Sequence, residues 1–149
     1  MIFLGVDPGA SGGIAILNDQ GEILLARKTP ETDQDLFELF NMTGLHGPTY
    51  SPQRHAVLER VSSSPQMGVT SAFTFGGSYR ALRMALTAAR IPFDQISPLR
   101  WQRVMGCLSH GDKNVTKQRA QQLFPAARVT HATADALLLA EFCRRATAR

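Results

Sequence analysis

The groups in this chain whose types and spacing could do chemistry are two carboxylates that end apolar runs and a histidine–aspartate pair near the start of a late helix. Asp7 follows Ile2-Phe-Leu-Gly-Val6, and Glu59 follows Ala56-Val-Leu58. Both runs read as strands buried on two faces. A carboxylate buried there without a partner costs on the order of several kcal/mol, so it calls for a cation, a hydrogen-bonding network or a proton. If the two strands are neighbours, Asp7 and Glu59 stand side by side, and a divalent metal is the usual remedy for their repulsion. In Thr130-His-Ala-Thr-Ala-Asp-Ala-Leu-Leu-Leu-Ala140, His131 and Asp135 are four apart and share a helix face. Ala132, Ala134 and Ala136 around them let that helix approach a sheet closely. Asp135 then falls in about the first turn, where the helix dipole favours negative charge. Each residue also has a plainer use. Asp7 can cap the Pro-Gly turn, Asp135 can be an ordinary helix-start carboxylate, and His131 a cap or a surface group. Taken together, the four have the composition of a two-metal phosphodiester hydrolase site.

The elements that must position them follow from the pattern along the chain. Pro8, Gly9, Gly12 and Gly13 turn the chain back after Asp7, and Ile14–Leu17 reads as the second strand of a hairpin. Glu22–Arg27 reads as a third strand. Thr32-Asp33 caps a short helix with Leu36, Phe37, Leu39 and Phe40 on its apolar face. Residues 44–54 are a loop by composition, and so is Ser62–Gly68. Residues 70–90 predict a long helix whose larger apolar groups are Phe73, Phe75, Tyr79, Leu82, Met84 and Leu86, with Gly76-Gly77 suited to close packing. Ile91–Phe93 with Ile96 gives a fifth strand. Ser97-Pro98 opens a short helix containing Trp101, with Ser97 as cap. Asp112 caps a helix through Phe124, and a last helix runs from about Ala132 to Ala146. The order βββαβαβ followed by helices predicts an α/β fold, a mixed sheet covered by helices, with ligands expected at the strands' carboxyl ends.

At 149 residues the chain is expected to form one domain, burying roughly 70% of its unfolded surface. No apolar stretch approaches the ~20 residues that span a bilayer, and no signal peptide precedes the first strand, so a cytoplasmic setting is expected. Cys107 and Cys143 have no metal-ligand spacing. A net charge of +4 and a pI near 9.6 favour a polyanionic partner.

The ordered set Gly5-Val-Asp7-Pro-Gly-Ala-Ser-Gly-Gly13, Val57-Leu-Glu59, Gly68-Val-Thr-Ser71 with Phe75-Gly76, and Ala134-Asp-Ala-Leu-Leu138 resembles the RuvC-type Holliday junction resolvases, most of all the short bacteriophage-type members. The similarity covers nearly the whole chain. It implies a ribonuclease H-like fold with a five-stranded mixed sheet flanked by helices. It also implies a structure-specific endonuclease that resolves four-way DNA junctions by paired symmetric nicks, leaving 5′-phosphates. The family's four metal-site positions fall on Asp7, Glu59, His131 and Asp135. His131 departs from the Asp common among phage relatives, which leaves it as either a ligand or a proton-transfer group. Two Mg²⁺ ions per site are implied, with Mn²⁺ also expected to support activity and no organic cofactor. Paired cuts imply a homodimer, with its interface on the 70–90 helix.

DNA contacts are expected from Lys113, at a helix start that matches a basic family position, and from Lys117, Arg100, Arg103 and Arg119. For each basic residue a solvated charged face is the alternative. Met67, in the loop after Glu59, is a candidate apolar probe for the junction centre, against a plain packing role on the next helix. Competing functions are an actin-like phosphate-binding ATPase or kinase, which needs two related domains, another ribonuclease H-like nuclease acting on branched DNA or ribosomal RNA precursors, and a non-enzymatic junction binder.

Overall fold

A computed structural model describes residues 1–9, 11–41 and 53–147. Its strands are β1 (Ile2–Val6), β2 (Gly13–Asn18), β3 (Ile23–Lys28), β4 (Arg54–Glu59) and β5 (Phe93–Ile96). Its helices are α1 (Asp33–Asn41), α2 (Val69–Ala88), α3 (Pro98–Met105), α4 (Lys113–Leu123) and α5 (His131–Thr147). The sheet runs β3-β2-β1-β4-β5, antiparallel through the β1–β2–β3 meander and parallel from β1 through β4 to β5. Most of the expected loop over 44–54 lies outside the described residues, but Arg54 belongs to β4, which starts two residues earlier than its apolar core suggests.

Strand alternation sorts the core into two layers. Ile2, Leu4, Val6, Ile14, Ile16, Ala56 and Leu58 face α1 and α2, where Leu36, Phe40, Leu82 and Leu86 meet them. Phe3, Ala15, Leu17 and Val57 face the other way, under α3, α4 and α5. A mixed sheet covered by helices is what the sequence pattern predicts, and the structure adds the order that makes β1 and β4 neighbours. Thr32 caps α1 by accepting the Asp35 N–H at 3.1 Å. Leu36 and Phe40 are the buried stripe of that helix, while Phe37 is exposed.

Two helices depart from expectation. In α2, Leu82, Ala85 and Leu86 are buried, but Val69 and Phe73 are almost fully exposed, at 88% and 85%. The first half of α2 therefore runs past the edge of the core, and a Cβ on Gly76 or Gly77 would meet open space. In α3, Ser97 holds the cap position with extended backbone but makes no side-chain capping bond.

Helix α5 lies directly against the sheet. A Cβ on Gly5 would overlap the Ala136 carbonyl and the Ala140 amide, and one on Gly13 would overlap the Ala132 carbonyl. Ala132, Ala136 and Ala140 recur every four residues, so one side-chain-poor stripe of helix lies against two glycines. Gly5→Ala should therefore destabilise the fold by about 3 kcal/mol or more, read as a lower urea midpoint. A loss below about 0.5 kcal/mol, the range of an inert surface change, would show that α5 is free to lift.

Candidate active site

The alternation that sorts the core also aims the strand-end carboxylates. Gly5 lies under α5, so two residues on, Asp7 turns to the same side. Val57 does likewise for Glu59. Because Val6 pairs with Leu58 in parallel register, Asp7 and Glu59 are the next step on adjacent strands. Asp135 comes to them from above, one residue before the Ala136 whose backbone lies on Gly5.

Each carboxylate is held differently. Asp7 is 6% exposed, and its Oδ1 accepts the Gly9 N–H at 3.0 Å. The turn around it is closed by Gly12 N–H to the Gly9 carbonyl at 2.8 Å and Asp7 N–H to the Gly13 carbonyl at 2.9 Å. A Cβ on Gly12 would strike the Asp7 carbonyl, so only glycine fits there. Turn capping and a part in the site thus coexist in Asp7. Burial pushes its carboxyl upward, the Gly9 amide opposes that, the charge of Asp135 adds to it, and Lys113 opposes. Glu59 is half-buried, with Oε2 accepting the indole N–H of Trp101 at 2.7 Å. Burial, then the charge of Asp7, pushes it up to about 7, with Trp101 and Lys113 pulling the other way. Burial also raises Asp135, against the Thr116 hydroxyl, Lys113 and His131. Among the described residues its Oδ1 is buried with no hydrogen-bond partner.

Three of the four expected site residues are therefore brought into one electrostatic neighbourhood. His131 is exposed at the first position of α5, one turn before Asp135, and its charge reaches that carboxylate. The helix begins at His131, so Asp135 lies beyond the first turn and desolvation, rather than the dipole expected there, governs it. The cap is neither residue: Thr130 accepts the Thr133 N–H at 3.3 Å and Thr133 accepts the Thr130 N–H at 3.0 Å.

Of the expected basic contacts, Lys113 stands nearest. It is exposed at the start of α4, donates to Ser11 Oγ at 3.2 Å, and its charge acts on all three carboxylates. Asp112 caps that helix as expected, accepting the Asn114 N–H at 2.9 Å. Lys117 is half-buried one turn further on. Arg100 and Arg103 are exposed on α3, and Arg100 lines a separate cavity with His55, Asp94 and Cys143. Arg119 is committed elsewhere, its Nε donating to the Met105 carbonyl at 2.8 Å at the end of α3. Met67 is half-buried in the turn before α2. Trp101, Ser11 and Thr116 were not singled out from the sequence. Only Trp101 carried a signal, since a buried indole N–H takes a hydrogen-bond partner. Cys107 and Cys143 are buried free thiols pushed up to about 11 and about 12, which rules out ready thiolate chemistry at neutral pH.

A cleft of about 320 Å³ opens beside Glu59 and Asp135, walled by Gln102, Leu108, Ser109 and Lys113. As the side chains stand, no three His, Cys, Asp or Glu groups among the described residues converge to hold a single ion. The donor set nevertheless fits a hard divalent cation. It offers oxygen ligands from three elements, mutual repulsion that a cation relieves, and one buried carboxylate oxygen without a partner.

No protein-family model and no curated protein matches the chain. Solved structures do. The Thermus thermophilus RuvC structure superposes with a TM-score of 0.68 at 17% identity, covering 99% of this chain and 97% of that one. The T. thermophilus RuvC in complex with Holliday junction substrate gives 0.67 at 17% identity, over 98% and 96%. The chain has a RuvC-like fold. Its five-stranded mixed sheet and flanking helices are those of the ribonuclease H-like architecture implied by the ordered set of motifs.

The raised carboxyl of Glu59 has a consequence for stability. The group ionises near 4.5 in an open chain and about 7 in the fold, so the fold holds its proton more tightly. That contribution is full below pH 4.5 and is lost as pH rises through 7. With a chelator present, the stability of the wild type relative to Glu59→Gln should fall across this window by on the order of 3 kcal/mol. Urea unfolding of both proteins from pH 4 to 8 checks it, and a difference that is flat or rises with pH contradicts it.

Proposed function

We propose that the chain is a divalent-metal-dependent endonuclease that resolves four-way DNA junctions by paired symmetric nicks. The observation that carries this is the in-register pair Asp7 and Glu59 with Asp135 above them, at the carboxyl ends of two parallel strands. The RuvC-like fold over the whole chain supports it, and one of the matched structures holds Holliday junction substrate.

Asp7, Glu59 and Asp135 would hold Mg²⁺, two ions per site, with His131 at the rim as a further ligand or a proton-transfer group. Oxygen donors suit Mg²⁺, and the imidazole would also accept Mn²⁺. Such ions, when bound, stabilise charge on a phosphodiester and make water acidic enough to attack it near neutral pH, leaving a 5′-phosphate. Lys113 beside Ser11 would fix a phosphate oxygen at the mouth of the cleft. The net charge of +4, with Lys117, Arg100 and Arg103 at or near the surface, would hold the DNA arms.

Two cuts need two sites, and the overhanging half of α2 offers the surface for a homodimer. Val69 and Phe73 are exposed along it, and Gly76 and Gly77 stand open beside them. Met67, just before that helix, would then lie near the two-fold axis, where it could enter unstacked base pairs.

The test is nicking of an end-labelled mobile four-way junction with Mg²⁺. Symmetric cuts in opposite strands are expected, with Asp7→Asn at least a thousandfold slower yet folded and still binding the junction. Equal cutting of linear duplex would move the chain to a general nuclease. Near-normal nicking by Asp7→Asn would remove the site assignment.

A further inference from the structure

Trp101 is the chain's single tryptophan and is fully buried, yet its N–H is not spent on a backbone carbonyl of the core. It reaches Oε2 of Glu59 at 2.7 Å, across 42 residues of sequence. The ring has little freedom. It belongs to the core layer with Met105, Cys107 and the buried face of α5. Its helix begins with Pro98 at the first turn and ends at Gly106 in the left-handed region, φ 68. Arg119 of α4 holds the last turn through the Met105 carbonyl at 2.8 Å.

A rigid donor on one carboxylate oxygen fixes the plane of the whole group. Glu59 is the last residue of its strand, beyond its final ladder partner on β1. Its side chain has several rotatable bonds, and of the charges that act on it Asp7 and Asp135 repel it, with Lys113 only partly offsetting them. Left to its strand alone, it would be free to swing away from them. We infer that Trp101 is a positioning residue, whose indole N–H holds Glu59 in one orientation so that the other oxygen is presented to a cation shared with Asp7 and Asp135. The inference rests on the proposed reading of those carboxylates as a divalent-cation site.

A cation drawn to Glu59 changes the charge next to the indole N–H, and the only tryptophan in the chain reports it. The full-length protein, without DNA, is titrated with Mg²⁺ while tryptophan emission and calorimetric heat are followed together. Emission should change saturably over the concentrations at which heat is released. Trp101→Phe keeps the ring and removes the donor, so its calorimetric affinity for Mg²⁺ should fall roughly 10–100-fold. Met105→Leu, a packing change in the same helix, should leave the affinity unaltered.

Flat emission across the range in which heat shows binding overturns the inference. So does an unchanged affinity in Trp101→Phe, or an equal loss in Met105→Leu, which would make the effect one of packing. If Trp101→Phe does not fold, the wild-type titration decides alone. Absence of any Mg²⁺ heat would sink the cation-site reading itself, and this inference with it; binding heat with flat emission sinks only the role of Trp101.

Discussion

The direct contact of the α5 backbone with β1 and β2 is the constraint on which the rest of the structure depends. Gly5 and Gly13 have no room for a side chain, and Ala132, Ala136 and Ala140 present almost none. Had any of these positions carried a branched residue, the helix would ride higher, at the wider spacing of ordinary side-chain packing. Asp135 would then move away from the sheet edge where Asp7 and Glu59 stand. Close packing here does not serve the core alone. It sets how near three negative charges are brought.

That nearness is unfavourable by itself. Burial raises all three carboxyls, and the charges of Asp7 and Asp135 add to it at Glu59. The groups that oppose it are few and local: the Gly9 amide, the Trp101 indole, the Thr116 hydroxyl and the charges of Lys113 and His131. The contrast with Glu141 is instructive. It is as buried as Asp7, but Arg144 and Arg145 grip it at 2.7–2.9 Å and hold its carboxyl below the usual range. One buried carboxylate on α5 is fully paired within the protein, and another, Asp135, keeps an oxygen without a partner. Local strain of this kind is characteristic of sites that bind something else.

Much of this was legible in the sequence, for physical reasons that differ by residue. Asp7 and Glu59 stand out because continuous apolar runs end at them abruptly, and the alanines of α5 announce close approach. The pairing of β1 with β4 could only be supposed, since strand order is a property of the whole chain. Phe73 could not be assigned to surface or core because the 70–90 segment carries apolar groups on every side. Helix α5 starts at His131, one residue before the sequence pattern suggests, because a Thr130–Thr133 cap looks like ordinary polar sequence and helix ends shift by a residue or two. The bond from Trp101 to Glu59 was out of reach: it joins a helix and a strand that only the tertiary fold brings together.

The central claim, that Asp7, Glu59 and Asp135 form one cation site, is tested most directly by anomalous diffraction from crystals soaked in Mn²⁺. The account predicts a peak within about 2–2.5 Å of carboxylate oxygens from all three residues, the range of hard-cation ligation. The same map would show whether His131 joins them. Saturating Mn²⁺ that leaves these carboxylates without a peak, or that binds only elsewhere on the surface, would contradict it.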